Sequence, residues 1–207
     1  MPIQAVVPLK ALAAGKSRLA GVLAEPQRER LIRTMLEGVV AAAIRVPALA
    51  RVSVLTADPA LVPRGAGHLP DEGEELNDAL SRAAHRLRAS GPETAAPDVL
   101  LILAADLPFV TAEEIASLAE ASRWGGAVAA ADWKEAGTNA LAMPLAAGMA
   151  TRFGSGSLAA HEAAARAAHL GWTVLRLPGL AYDLDEPAQL ASVARRGGVR
   201  YAFLRTR

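Results

Sequence analysis

Hydrophobic positions fall into short runs separated by longer amphipathic stretches. Residues 3–7 are apolar and closed by Pro8, the pattern of a buried strand. Over residues 26–46, Leu31, Met35, Val39 and Ala43 recur every fourth position, and Pro26 suits a first helical turn. Strands are predicted at 51–56, 98–104, 127–131, 139–143, 172–177 and 199–204. Helices are predicted at 75–88, 157–170 and 186–196, and a Thr111-Ala-Glu-Glu114 capping box opens another. The Pro- and Gly-rich stretch 59–73 reads as loop. Strands alternating with helices imply an α/β fold on a mixed, mostly parallel sheet. With no repeat and no linker in view, residues 1–207 read as one domain.

Composition narrows this picture. The 207 residues include 48 alanines, and aromatics make up only 4%, so small aliphatic side chains must fill the core. Twenty-two basic residues stand against 21 acidic ones, which excludes nucleic-acid binding by bulk charge. Trp124 and Trp133 flank a loop but make no stacking platform. The absence of cysteine excludes disulfides and thiolate chemistry. No apolar run approaches the roughly 18 residues of a membrane span, and no secretory leader is visible. A cytoplasmic protein with no membrane partner is expected. Of the 22 basic residues only Lys10, Lys16 and Lys134 are lysines, and the only asparagines are Asn77 and Asn139.

Ligands of open α/β sheets bind outside the carboxyl ends of the strands, so the segments following strands carry the candidate chemistry. The first, residues 8–18, ends in Gly15-Lys16-Ser17, but Lys10 stands where a P-loop needs glycine. What remains is a loop with three cations, Lys10, Lys16 and Arg18, suited to a triphosphate. A solvated basic loop is the alternative, and the local use of lysine as a compact point charge favours a site. The second segment places Asp106 directly after the most hydrophobic strand, where it suits Mg²⁺ or a turn. The third, Tyr182-Asp-Leu-Asp-Glu-Pro187, offers Asp183 and Asp185; Asp185 is also a natural N-cap, which makes Asp183 the better metal candidate. The fourth pairs Gly137-Thr138-Asn139 with Phe153-Gly-Ser-Gly-Ser157, whose end starts a helix and suits an anion or simple capping by Ser157. His161 lies just over one turn into that helix, near any bound anion, although spacing alone favours a surface position. No Ser/His/Asp order stands out.

The segments VPLKALAAGKSRLA (7–20), RERLIRTMLEGVV (28–40), ELNDAL (75–80), LILAADLPFV (101–110), AGTNAL (136–141), FGSGSLAAH (153–161) and LAYDLDEPAQL (180–190) together resemble the guanylyltransferases of coenzyme F-420 biosynthesis. These act on 2-phospho-L-lactate or phosphoenolpyruvate. The resemblance implies a Rossmann-like, glycosyltransferase-A-like nucleotidyltransferase fold. It assigns Lys10, Lys16, Ser17 and Arg18 to the nucleotide phosphates and Asn77 to the nucleoside side. It gives Mg²⁺ to Asp106 with Asp183 or Asp185, and the three-carbon acid to Thr138, Asn139, Gly154 and Ser157. Lys10, Lys16 and Asp106 would carry catalysis. The implied partners are GTP and a small phosphorylated acid, and a homodimer is the commonest oligomer to expect.

The implied reaction suits the residue inventory. A phosphate monoester is largely ionised at neutral pH, its second pKa being about 6, so it attacks the α-phosphorus of GTP without a general base. Catalysis then reduces to positioning anions and neutralising them. The rivals are transfer to another acceptor, such as a molybdopterin or a sugar phosphate, and a non-catalytic nucleotide-binding protein on the same fold.

Overall fold

The computed structural model describes residues 1–10, 16–73, 75–89 and 98–205. Residues 11–15 of the first loop, Gly15 included, lie outside the described residues. Seven strands form one sheet: β1 (Ile3–Pro8), β2 (Leu49–Thr56), β3 (Gly67–Pro70), β4 (Val99–Leu103), β5 (Ala127–Ala131), β6 (Thr138–Pro144) and β7 (Trp172–Leu175). Their spatial order is β3-β2-β1-β4-β6-β5-β7. All neighbours pair in parallel except at β6, which is antiparallel to both β4 and β5.

Helices cover both faces. Side chains alternate along each strand, so Val99, Leu101 and Leu103 point to one layer and Leu100 and Ile102 to the other. The first layer packs on α1 (Glu25–Ile44) and α3 (Ala112–Ser122), through residues such as Leu36, Val39, Ile115 and Leu118. The second packs on α2 (Leu76–Arg88) and α4 (Ser157–Ala167), through Leu80, Ala83, Leu87 and Ala165. Every residue of β4 and β5 is buried, as central strands covered on both faces require. Alanine at six positions of β5 and β6 lets the helices approach closely. The capping box of α3 forms as predicted: the Glu114 amide donates to Thr111 Oγ1 (3.2 Å) and the Thr111 amide to Glu114 Oε2 (3.1 Å). After β7 come the short α5 (Pro178–Ala181) and α6 (Pro187–Arg196).

Two expectations are corrected. Residues 199–204 are not a strand: Gly198–Leu204 coil into 3-10 turns against α1 and α6, with Tyr201 buried beside Leu31 and Met35 and Val199 exposed. A short apolar run fits either conformation, and Gly198 at φ +63° turns the chain back onto the helices and away from any sheet edge. The stretch 59–73 is not all loop either: it contains a short 3-10 helix, Pro59–Leu61, and β3. Its glycine and proline are tolerated because β3 is an edge strand. Among the described residues no helix is long and apolar enough to cross a membrane.

The topology places the chemistry. Chain connections leave β1 toward β2 on one side, and β4 lies on the other, so a crevice opens at the carboxyl ends of β1 and β4. Because β6 runs backward, with Ala140 opposite Leu103, its first residues lie at that same edge.

Candidate active site

Three segments carrying carboxylates and cations meet at this edge. The ammonium of Lys16 donates to Asp106 Oδ2, beyond β4, and to Asp185 Oδ1 (2.6 Å), ahead of α6. Its side chain is only 10% exposed, whereas those of Asp106 and Asp185 are 28% and 45% exposed, so the lysine is the inner member of the cluster. Burial works against its charge, but the two carboxylates more than offset that and hold its pKa above the ordinary lysine value. Lys16 sits at φ 55°, in the left-handed region that a side chain rarely adopts. Arg18 reaches the other oxygen of Asp185 at 3.9 Å and remains largely exposed.

Asp183 completes the acidic side. Burial, and then the charge of Asp106, raise its pKa above the usual carboxylate range, while a hydrogen bond from Asn139 Nδ2 (3.3 Å) opposes the rise. Asn139 also donates to the Leu180 carbonyl (3.0 Å), tying the start of β6 to the end of α5. The loop is stitched in place by the Leu184 amide on the Asp106 carbonyl (3.1 Å) and by Gln189, which donates to the Asp183 carbonyl (2.7 Å). The same Gln189 accepts from the amides of Asp185 and Glu186. Glu186, not Asp185, is therefore the N-cap of α6. The Asp185 carboxylate is released from capping and faces Lys16. Among the described residues no three His, Cys, Asp or Glu side chains converge on one point, and the cation shared by Asp106 and Asp185 is the Lys16 ammonium.

Beside this cluster lies the Gly/Ser loop. Gly154 (φ +132°) and Gly156 (φ +67°) adopt conformations that strain other residues, and they turn the chain into α4. Gly156 is the N-cap and Ser157 the first helical residue. The Ser157 hydroxyl does not cap: its Oγ accepts from the Thr138 amide at 2.8 Å. Thr138 Oγ1 in turn lies 3.0 Å from His161 Nδ1, and His161 Nε2 accepts from the Arg152 amide at 2.8 Å. His161 is thus wholly buried, which corrects the expected surface position. It packs edge-on against Phe153, with centroids 4.7 Å apart. The turn of α4 that looks exposed from spacing alone is covered by the chain that precedes it.

Three candidates remain, Lys10, Asn77 and Ser17. Lys10 pairs with the buried carboxylate of Asp71 (2.9 Å) and donates to the Gly73 carbonyl (2.8 Å), beyond β3. It still shares with Lys16 and Asp106 a cavity of about 250 Å³ whose floor includes Leu9, Ile32, Met35 and Leu76. Asn77 clamps the Phe153 backbone with both ends of its amide, at 3.0 and 2.9 Å, and so supports the Gly/Ser loop. Ser17 opens a short 3-10 turn, Ser17–Leu19. Asp71 and Gln189 are the positioning residues that sequence reasoning missed, and His161 is the one it placed at the surface. Asp71 carries no local mark because its partner Lys10 is far away in the chain, whereas Gln189, at the third position of α6, is a capping-box signal readable in the sequence. A wider recess of about 570 Å³, lined by Gln4, Ser53, His68 and Arg86, lies toward the opposite end of β2 and gathers no such chemistry.

The α/β/α sheet carries a lysine-carboxylate cluster and a Gly/Ser loop at the same strand ends, and solved structures share its fold. A nucleotidyl transferase from Methanothermobacter superposes with a TM-score of 0.67 at 19% identity, covering 100% of this chain and 99% of that one. For the 2-C-methyl-D-erythritol 4-phosphate cytidylyltransferase of Thermus thermophilus the TM-score is 0.55 at 19% identity, over 94% and 100%. The chain belongs to the family described as "Guanylyl transferase CofC like", whose model matches residues 3–206. Among curated proteins, the phosphoenolpyruvate guanylyltransferase of Chloroflexus aggregans is 39% identical over 192 residues, 89% of this chain and 93% of that one. The enzyme of the same name from Rubrobacter xylanophilus is 38% identical over 206 residues, 97% and 98% of the two chains. The chain is accordingly an enzyme of the nucleotidyltransferase class.

Proposed function

We propose that this enzyme transfers GMP from GTP to the phosphate of phosphoenolpyruvate, releasing pyrophosphate, as a step of coenzyme F-420 biosynthesis in the cytoplasm. The observation that carries the reading is the meeting of the Lys16–Asp106–Asp185 cluster with the Thr138–Ser157 anchored loop at one sheet edge. One side suits a triphosphate and the other a small anionic acid. The names of the similar enzymes support phosphoenolpyruvate over 2-phospho-L-lactate.

The acceptor phosphate is largely dianionic at neutral pH and needs no base. That fits a site whose buried histidine accepts a backbone hydrogen bond and has no proton-transfer task. The work of the chain is to bring two anions together and neutralise them. Lys16 and Arg18 meet the triphosphate, with Lys10 at the far side of the cavity, while Gly154, Ser157 and the amino end of α4 receive the acid. Asp106, Asp183 and Asp185 offer carboxylate oxygens only, a donor set suited to Mg²⁺. Two of them, Asp106 and Asp185, converge on a cation already, the Lys16 ammonium, so an ion held there would take that pair of carboxylates and displace the lysine. Bound there, Mg²⁺ would supply neutralisation of charge on the phosphates.

The test is a matrix of GTP, ATP and CTP against phosphoenolpyruvate, 2-phospho-L-lactate and 3-phosphoglycerate with Mg²⁺. Pyrophosphate release and product mass are followed together. The GTP–phosphoenolpyruvate pair should dominate. Absence of pyrophosphate with every pair would overturn the reading.

A further inference from the structure

The buried His161 is not needed for proton transfer, yet it sits where the acceptor is expected. Its two ring nitrogens are used differently. The Arg152 amide can only donate, so Nε2, 2.8 Å away, must be the unprotonated nitrogen. The ring proton therefore resides on Nδ1, 3.0 Å from Thr138 Oγ1, and Nδ1–H donates to that hydroxyl. Thr138 Oγ1 is thereby an acceptor inside the protein, and its own O–H proton is left to donate elsewhere. Ser157 follows the same logic: its Oγ accepts from the Thr138 amide at 2.8 Å, which leaves the Ser157 proton free in the same sense. The opposite tautomer would invert the arrangement, because a bare Nδ1 would draw the Thr138 proton inward.

We propose that His161 is a positioning residue for the acceptor: by fixing its tautomer through Arg152, it turns the Thr138 hydroxyl into a hydrogen-bond donor toward the anionic acid at the Gly154–Ser157 loop. The inference rests on the reading of that loop as the acceptor site. The surroundings keep the device rigid. Phe153 packs its ring edge-on against the imidazole, and Asn77 holds both the amide and the carbonyl of Phe153. The backbone donor on Arg152 is thus anchored from α2, and the hydroxyl acceptor is anchored on β6. A neutral imidazole with one donor and one acceptor, spaced across the ring, is the group that bridges them.

Three variants separate the contacts. His161→Asn can present a donor near the Nδ1 position, His161→Gln an acceptor near Nε2, and His161→Leu neither. In His161→Leu and His161→Gln the KM for phosphoenolpyruvate should rise about tenfold or more, while the KM for GTP stays within about twofold. His161→Asn should recover most of the acceptor KM. An unchanged acceptor KM in His161→Leu, or an equal rise in both KM values, would overturn the proposal. The tautomer is read independently by long-range ¹H–¹⁵N NMR of the wild-type protein, where a proton on Nε2 of His161 would overturn it whatever the variants do. A wild-type enzyme active on no phosphorylated acid would instead overturn the assigned function, and the NMR result would still decide the tautomer.

Discussion

The acid sensitivity of the fold should reside in large part at His161. Burial, helped by the nearby Arg152 charge, lowers its pKa to about 4 in the native protein, against about 6.5 in an unfolded chain. Above about pH 7 both states hold the neutral ring, and His161 contributes no pH dependence. Between about pH 6.5 and 4 the unfolded chain takes up a proton that the native ring refuses, so stability falls as the solution is acidified. Below about pH 4 both forms are protonated and the loss levels off. With these two pKa values the loss is about 2 kcal/mol at pH 5 and about 3 kcal/mol at its limit. The assay is urea unfolding of the wild type and of His161→Asn at about pH 7.5 and about pH 5. Other groups titrate in this range, Asp183 among them with the opposite sign, but they are common to both proteins and cancel in the difference. The wild type should lose about 2 kcal/mol more than the variant. Equal losses would refute the buried, neutral imidazole and the hydrogen bonds assigned to it.

Other perturbations test the charged cluster and its support. Asp106→Asn should lower turnover by about 10³-fold or more while the far-ultraviolet circular dichroism stays native, because Asp185 still pairs with the buried Lys16 ammonium; near-normal activity would sink its catalytic role. Lys16→Met removes the ammonium that Asp106 and Asp185 now share, so added Mg²⁺ should raise the melting temperature more in the variant than in the wild type. An equal shift would mean that the lysine and the ion do not compete. Gly179→Ala would press a methyl group against the Phe109 carbonyl, 2.5 Å away, and against Glu114, which caps both α3 and the Gly179 amide. A loss of about 1–3 kcal/mol in urea unfolding is expected.

Much of the site was legible because the fold exposes strand ends and the chain marks them. Two of three lysines and both asparagines lie in segments that the structure brings to or beside the crevice. The aspartates after β4 and ahead of α6 meet through Lys16, whose position in the loop after β1 is plain in the sequence. The assignment of Asp185 to a cap failed because the helix starts one residue later, at Glu186 with Gln189 in the capping box, and the Asp185 carboxylate is taken by Lys16. The surface reading of His161 failed because helical spacing gives the direction of a side chain but not what covers it.

Local pattern alone determined the existence and type of nearly every element, the capping box of α3 and the central place of β4. These depend on backbone preference and on periodic burial, which neighbouring residues suffice to specify. Tertiary structure decided the rest: the backward run of β6, the edge strand β3, the coil of Gly198–Leu204, and the tautomer of a histidine held between β6 and the Arg152 amide. Each of these is set by contacts outside the segment itself, and the free energy of those contacts outweighs what a short segment prefers by itself.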